Sequence, residues 1–130
     1  IGNFNQNSFD TILMLGNNFG LFGNLRHAKF LLKKMYHITS PKAKIIAENV
    51  NPYKTTDPVH LQYHTLNKRR GRMPGQIRMR VRFDKTIGKW FDYLFVSPQE
   101  MRQILKGSGW RLKRLIAAGG HQYIAIIVKG

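Results

Sequence analysis

The stretch "FDTILMLGNNFGLFGNLRHAKFLLKKMYHITSPKAKIIAENV", residues 9–50, decides the fold. It opens with a continuous apolar run, "FDTILML" (9–15), that stops at Gly16. A short uninterrupted run of this kind suits a strand buried on both faces, as in a parallel sheet. In "NLRHAKFLLKKMYHI" (24–38), Leu25, Ala28, Leu31, Leu32 and Met35 fall at helical spacing behind Asn24, a good N-cap. The lysines of this segment gather late, where helix carbonyls favour cations. "KAKIIAENV" (42–50) is a second strand of the buried type. Strand, helix, strand over about 40 residues is a βαβ unit with a right-handed crossover and parallel strands.

Beyond "NPYKTTDP" the pattern changes. "DPVHLQYHTLNKRRG" (57–71) reads as helical until "RMPG" breaks it. "QIRMRVRF" (76–83) alternates, with Ile77, Met79, Val81 and Phe83 on one face and Gln76, Arg78, Arg80 and Arg82 on the other. "DKTIG" turns the chain, and "KWFDYLFV" (89–96) is the expected hairpin partner. In "SPQEMRQILKGSG" (97–109), Ser97 caps a helix, Pro98 takes its first turn and Glu100 completes a capping box. Gly107 and Gly109 end it. "WRLKRLIAAGGHQYIAIIVKG" (110–130) gives two strands joined tightly, hence antiparallel. The expected outline is one α/β domain over 1–130, in the order β-α-β, an inserted segment at 51–96 carrying the hairpin, then α and β-β.

Composition narrows the class. At 130 residues with 42% hydrophobic content the chain can bury a core and is not of the disordered type. There is no cysteine, which excludes disulfides and thiolate metal sites within the chain and agrees with a reducing compartment. No run approaches the roughly 20 apolar residues of a membrane-spanning helix, and no signal-peptide pattern is visible. The expectation is a cytoplasmic protein with no membrane partner. Twenty-two Lys and Arg against six acids give +16, a balance that favours anionic partners, nucleic acid among them. The charge is densest in "KRRGRMPGQIRMRVR", a run that also reads as a solvated face.

Taken in order, these segments resemble the C-terminal half of a class I S-adenosylmethionine-dependent methyltransferase. "FDTILMLGNNFGLFGN" resembles that family's fourth strand and the loop lining its cleft. "LRHAKFLLKKMYHITSPKAKIIAENV" resembles the next helix and fifth strand, and "SPQEMRQILKGSGWRLKRL" the last helix and sixth strand. "YIAIIVK" resembles the closing antiparallel strand. The resemblance implies a partial Rossmann-like sheet, S-adenosylmethionine as cofactor and methyl transfer to an acceptor that the sequence does not name. In the family, the cofactor rests on a glycine-rich loop after the first strand. Only eight residues precede the matched fourth strand here, and one βα unit takes about 30. "GNNFGLFGN" is therefore not expected to be the cofactor cradle, and the isolated chain is expected to be inactive. An engineered truncation, a proteolytic fragment or a split gene would account for this. The strand at 10–15 would then carry an unpaired edge, open to self-association or to the missing N-terminal half.

The candidate residues follow from that placement. Gly16, Asn17 and Asn18 are the cofactor-side candidates: Gly16 lets the chain turn, and the two amides can offer donors and acceptors. The same asparagines also suit a plain turn in left-handed φ/ψ. Phe19 and Phe22 read as packing residues. Within the insert, His60, Tyr63, His64, Arg70 and Arg72 are the substrate-side candidates, His or Tyr to accept a proton and Arg to hold an anion. His60 and His64 at i, i+4 also match some metal sites, but no third ligand accompanies them. Asp92 in "WFDYLF" is expected to form a cross-strand ion pair with Arg78 or Arg80. No general acid/base pair, nucleophile elbow or P-loop ending is present. The competing reading is a basic nucleic-acid-binding module without catalysis, with Arg78, Arg80 and Arg82 on phosphates and Phe91, Tyr93 and Phe95 stacking on bases.

Overall fold

The computed structural model describes residues 2–130. The chain runs β1 (Phe9–Met14), a 3-10 turn (Asn18–Phe22), α1 (Leu25–Ile38), β2 (Thr39–Val50), α2 (Pro58–Arg69), β3 (Gln76–Met79), β4 (Arg82–Phe83), β5 (Thr86–Ile87), β6 (Phe91–Leu94), α3 (Pro98–Leu105), β7 (Trp110–Ala117) and β8 (Gln122–Lys129). The main sheet has the order β1-β2-β8-β7. β1 and β2 are parallel, and β8 inserts antiparallel between β2 and β7. This is the expected mixed α/β sheet with an inserted hairpin and a C-terminal antiparallel pair.

Alternation along the strands sorts the sheet into two unlike faces. Ile45, Ala47, Ala125 and Ile127 are wholly buried with Leu32 of α1 and Met101 and Ile104 of α3 in one core. Trp110 joins them and donates its indole N–H to the Leu32 carbonyl at 2.9 Å. Leu13, Ile46, Ile116, Ile124, Ile126 and Val128 occupy the opposite face and stand outside that core. Leu13 is 60% exposed. The expectation that 9–15 lies in a strand buried on both faces is thus corrected. β1 is an edge strand among the described residues, and only Met14 in it is buried.

The helix ends behave as their sequences require. Asn24 accepts from the His27 amide at 2.9 Å, and Ser97 with Glu100 makes the expected capping box. No loop separates the helix expected at 24–38 from the strand expected at 42–50: α1 passes directly into β2 at Thr39, whose hydroxyl donates to the Met35 carbonyl at 2.7 Å. Lys129 closes the same helix end, donating to the carbonyls of Tyr36 and Thr39. A helix C-terminus accepts a cation readily.

The hairpin is shorter than its alternation suggested. β3 pairs with β6 only over four residues on each side, and beyond Arg80 the chain forms a separate small ribbon, β4 with β5. Val81 and Phe83, expected on a half-buried face, are exposed, Phe83 by 81%. Two-residue strands cannot bring them back onto the sheet. Arg80 instead lies over the Trp90 ring, 4.6 Å from its centroid.

Candidate functional site: a cleft at the strand ends

In an open α/β sheet, ligands bind beyond the carboxyl ends of the parallel strands. Two elements of this chain meet there, the 16–24 loop after β1 and the insert after β2. Gly16 and Asn17 both take left-handed backbone, at φ 61° and 62°, so the turn-forming reading of Asn17 holds. The Gly16 amide donates to Glu48 Oε2 at 2.8 Å, which ties the loop to β2. Asn18 starts the 3-10 turn and is exposed. Phe19 and Phe22 are buried and meet edge to face, as packing residues should. The Asn17 side-chain oxygen is buried and has no hydrogen-bond partner. A buried acceptor left unpaired costs about 1–3 kcal/mol, so it is a place where a donor from a ligand is worth most.

The insert builds the second wall. β6 presents Tyr93 to the loop: its hydroxyl donates to the Asn17 carbonyl, and its ring lies against Gly20. A Cβ at Gly20 would fall 2.2 Å from that ring. Phe95 meets Tyr93 edge to face at 5.3 Å and faces a cleft of about 470 Å³ beyond it. That volume is within the range that holds small-molecule ligands. Val50, Pro52, Val59 and Ile77 make its apolar walls, and α2 contributes His60, Tyr63 and His64.

Three of the five substrate-side candidates therefore come together in one cleft. Arg70 and Arg72 are not among its lining residues; they lie just past the end of α2. The cations that do line it are Lys54 and Arg78, and His121 reaches it from the β7–β8 turn. Sequence reasoning placed Arg78 on a solvated face, and it had no signal for His121, which only the sheet order brings to β2. His60 is held by Thr55 Oγ1 at 3.0 Å and lies 4.0 Å from the helix-capping Asp57. His64 packs on the Tyr53 ring. Burial first, then the nearby His60 and Lys68, hold its pKa below the usual histidine value, against a weaker opposing pull from Glu100.

Asp92 departs from its expected role. The register does set it opposite Arg78, but its carboxylate accepts from Gln76 Nε2 at 3.3 Å and makes no ion pair among the described residues. Two of the three aromatics proposed as a stacking platform are also committed elsewhere, Tyr93 to the loop and Phe95 to the cleft.

The chain superposes on solved methyltransferases. An S-adenosylmethionine-dependent methyltransferase from Bacteroides fragilis, solved with S-adenosyl-L-homocysteine, matches 95% of this chain and 48% of its own at TM-score 0.74 and 24% identity. One from Methanosarcina mazei matches 98% of this chain and 62% of its own at TM-score 0.66 and 15% identity. A methyltransferase from Streptomyces caelestis gives TM-score 0.60 at 10% identity, over 100% of this chain and 59% of its own. No protein-family model and no curated protein matches the chain. The fold is that of the S-adenosylmethionine-dependent methyltransferases, over roughly half to three-fifths of their length.

Proposed function

We propose that these 130 residues are the C-terminal, acceptor-binding portion of an S-adenosylmethionine-dependent methyltransferase. The observation that carries this reading is the cleft between α2 and β6. It opens at the strand ends of a sheet with this fold, directly beside a loop whose buried amide oxygen lacks a donor. This chain matches roughly half to three-fifths of its fold relatives, and the cofactor cradle that the resemblance implies would lie in the part it does not match. Asn17 fits the edge of such a site, offering its free oxygen to an ammonium group, with Gly16 leaving room for close approach.

S-adenosylmethionine, when bound, would supply an electrophilic methyl group with a neutral thioether as its leaving group. The chain's own residues then have two tasks. The cleft walls hold the acceptor so that its heteroatom lone pair points out toward the loop, since positioning supplies much of the rate in such a displacement. His64, whose pKa burial lowers, faces the cleft and takes the proton that the heteroatom sheds.

The same reading assigns the free edge of β1 and the open sheet face to a second unit. That unit is the cofactor-holding half or, in its absence, another copy of this chain. An unpaired apolar edge supports either.

Calorimetric titration with S-adenosylhomocysteine tests the assignment. The chain alone should give no heat of binding. The chain co-expressed with the part of the Bacteroides fragilis protein that it does not match should bind at micromolar concentration, and Asn17→Ala should weaken that. A single co-eluting complex that takes up no ligand would sink the reading.

A further inference from the structure

We infer that the cleft selects acceptors that join an apolar, ring-sized body to an oxyanion, with Arg78 as the anchor for the charge and Lys54 as its second cation. This rests on the acceptor-site reading above and specifies what that site takes. The walls supply the apolar half: Val50, Ile77, Tyr63 and Phe95 enclose a space of about 470 Å³, enough for a fused or substituted ring. The charged lining is of one sign, Lys54 and Arg78, and among the described residues no aspartate or glutamate lines the cleft.

Arg78 is the informative residue. It is exposed at the cleft, where its fork of donors is free to meet a planar anion, the group whose shape it matches. The strand register sets Asp92 directly across from it, the natural partner on a hairpin. That carboxylate engages Gln76 instead. The one contact between a basic side chain and a carboxylate within 4.0 Å among the described residues is His60 with Asp57. Arg78 thus keeps its charge uncompensated at the cleft, although an acid stands at the neighbouring position. Arg80, two residues on, contrasts with it: it covers Trp90 and lies outside the cleft lining. A neutral acceptor would gain nothing from this arrangement, and a cationic one would be repelled by it.

The test compares three probes of one shape by amide-resolved NMR titration of the 130-residue chain: 1-naphthoate, 1-naphthyl phosphate and the neutral 1-naphthamide. All three should shift the amides of Asn51, Ile77 and Phe95. The two anions should bind at least tenfold more tightly than the amide, and the better of the two identifies a carboxylate or a phosphate as the group preferred. Arg78→Gln should erase the anion preference and leave the naphthamide affinity as it was. Arg78→Lys should retain part of the preference, and Arg80→Gln all of it. Equal affinities for anion and amide, or a preference that survives in a folded Arg78→Gln chain, would overturn the inference. These titrations need no cofactor. An anion preference together with failed S-adenosylhomocysteine uptake would keep the cleft assignment and discard methyl transfer, and the reverse result would discard only the anion anchor.

Discussion

The two faces of the main sheet are made from the same kinds of residue and have opposite fates. On one, Ile45 and Ile127 are sealed beneath α1 and α3. On the other, Ile46 and Ile126, their immediate neighbours in β2 and β8, stay half-buried, and Leu13 lies largely in solvent. Parallel strands are ordinarily covered on both faces. The contrast shows that sequence alone prepares both faces for burial, while the packing within this chain satisfies only one.

The largest test of that contrast is a pair of truncations. Ile104→Ala, under the covered face, should cost about 2–5 kcal/mol in urea unfolding. Ile126→Ala, on the open face, should cost roughly 1 kcal/mol or less because far less packing is lost. Equal losses would mean that something already covers the open face. Next in size is Asn49→Ala. Asn49 is fully buried, and its side-chain oxygen accepts from the Val96 amide at 3.3 Å, joining β2 to the segment that enters α3. Leaving that amide unpaired should destabilise the chain by about 1–3 kcal/mol.

A third substitution addresses the open side directly. Leu13→Lys should change stability by no more than about 0.5 kcal/mol. Where the β1 edge pairs with a second copy, as proposed above, the substitution should abolish concentration-dependent association in sedimentation velocity, since a lysine on an edge strand blocks pairing. An association constant unchanged by the substitution would assign the contact to another surface.

The smallest effect belongs to the insert. The folded-state pKa of His64 is depressed, so the unfolded chain binds its proton more readily. Stability is then fully present above the unfolded value near pH 6.5 and falls as pH drops through and below it. His64→Gln should flatten that part of the pH–stability curve, measured by thermal melts between pH 5 and pH 8. An unaltered curve would assign the dependence to another histidine.

The covered face was legible in the sequence because it follows periods. The helical spacing of Ala28, Leu32 and Met35, the Ser97 and Glu100 box and the tight connection of the last two strands each point to one structure, and the chain has them all; Leu25, at the head of the same helical run, lies exposed instead. The cleft was legible in part. Helical spacing put His60 and His64 on one face of α2, and Tyr63 joined them. Arg78, Lys54 and His121 were not, because they come from a strand, a loop and a turn far apart in sequence, and only the strand order and the hairpin register bring them together. The same limit explains Asp92: the register gave it the right neighbour, but side-chain rotation gave it another partner. Alternation also overstated β3, since a period of two says nothing about whether a sheet extends far enough to receive the last residues of the run.

Gly20 has a consequence for how the two walls of the site can vary. Tyr93 rests on bare backbone there, and a single added carbon would collide with the ring. The gap between the loop and the insert is therefore set by an atom the chain does not have. Any other residue at position 20 must move the tyrosine, and with it Phe95 and the mouth of the cleft. The shape of the cleft is tied to a position that does not line it.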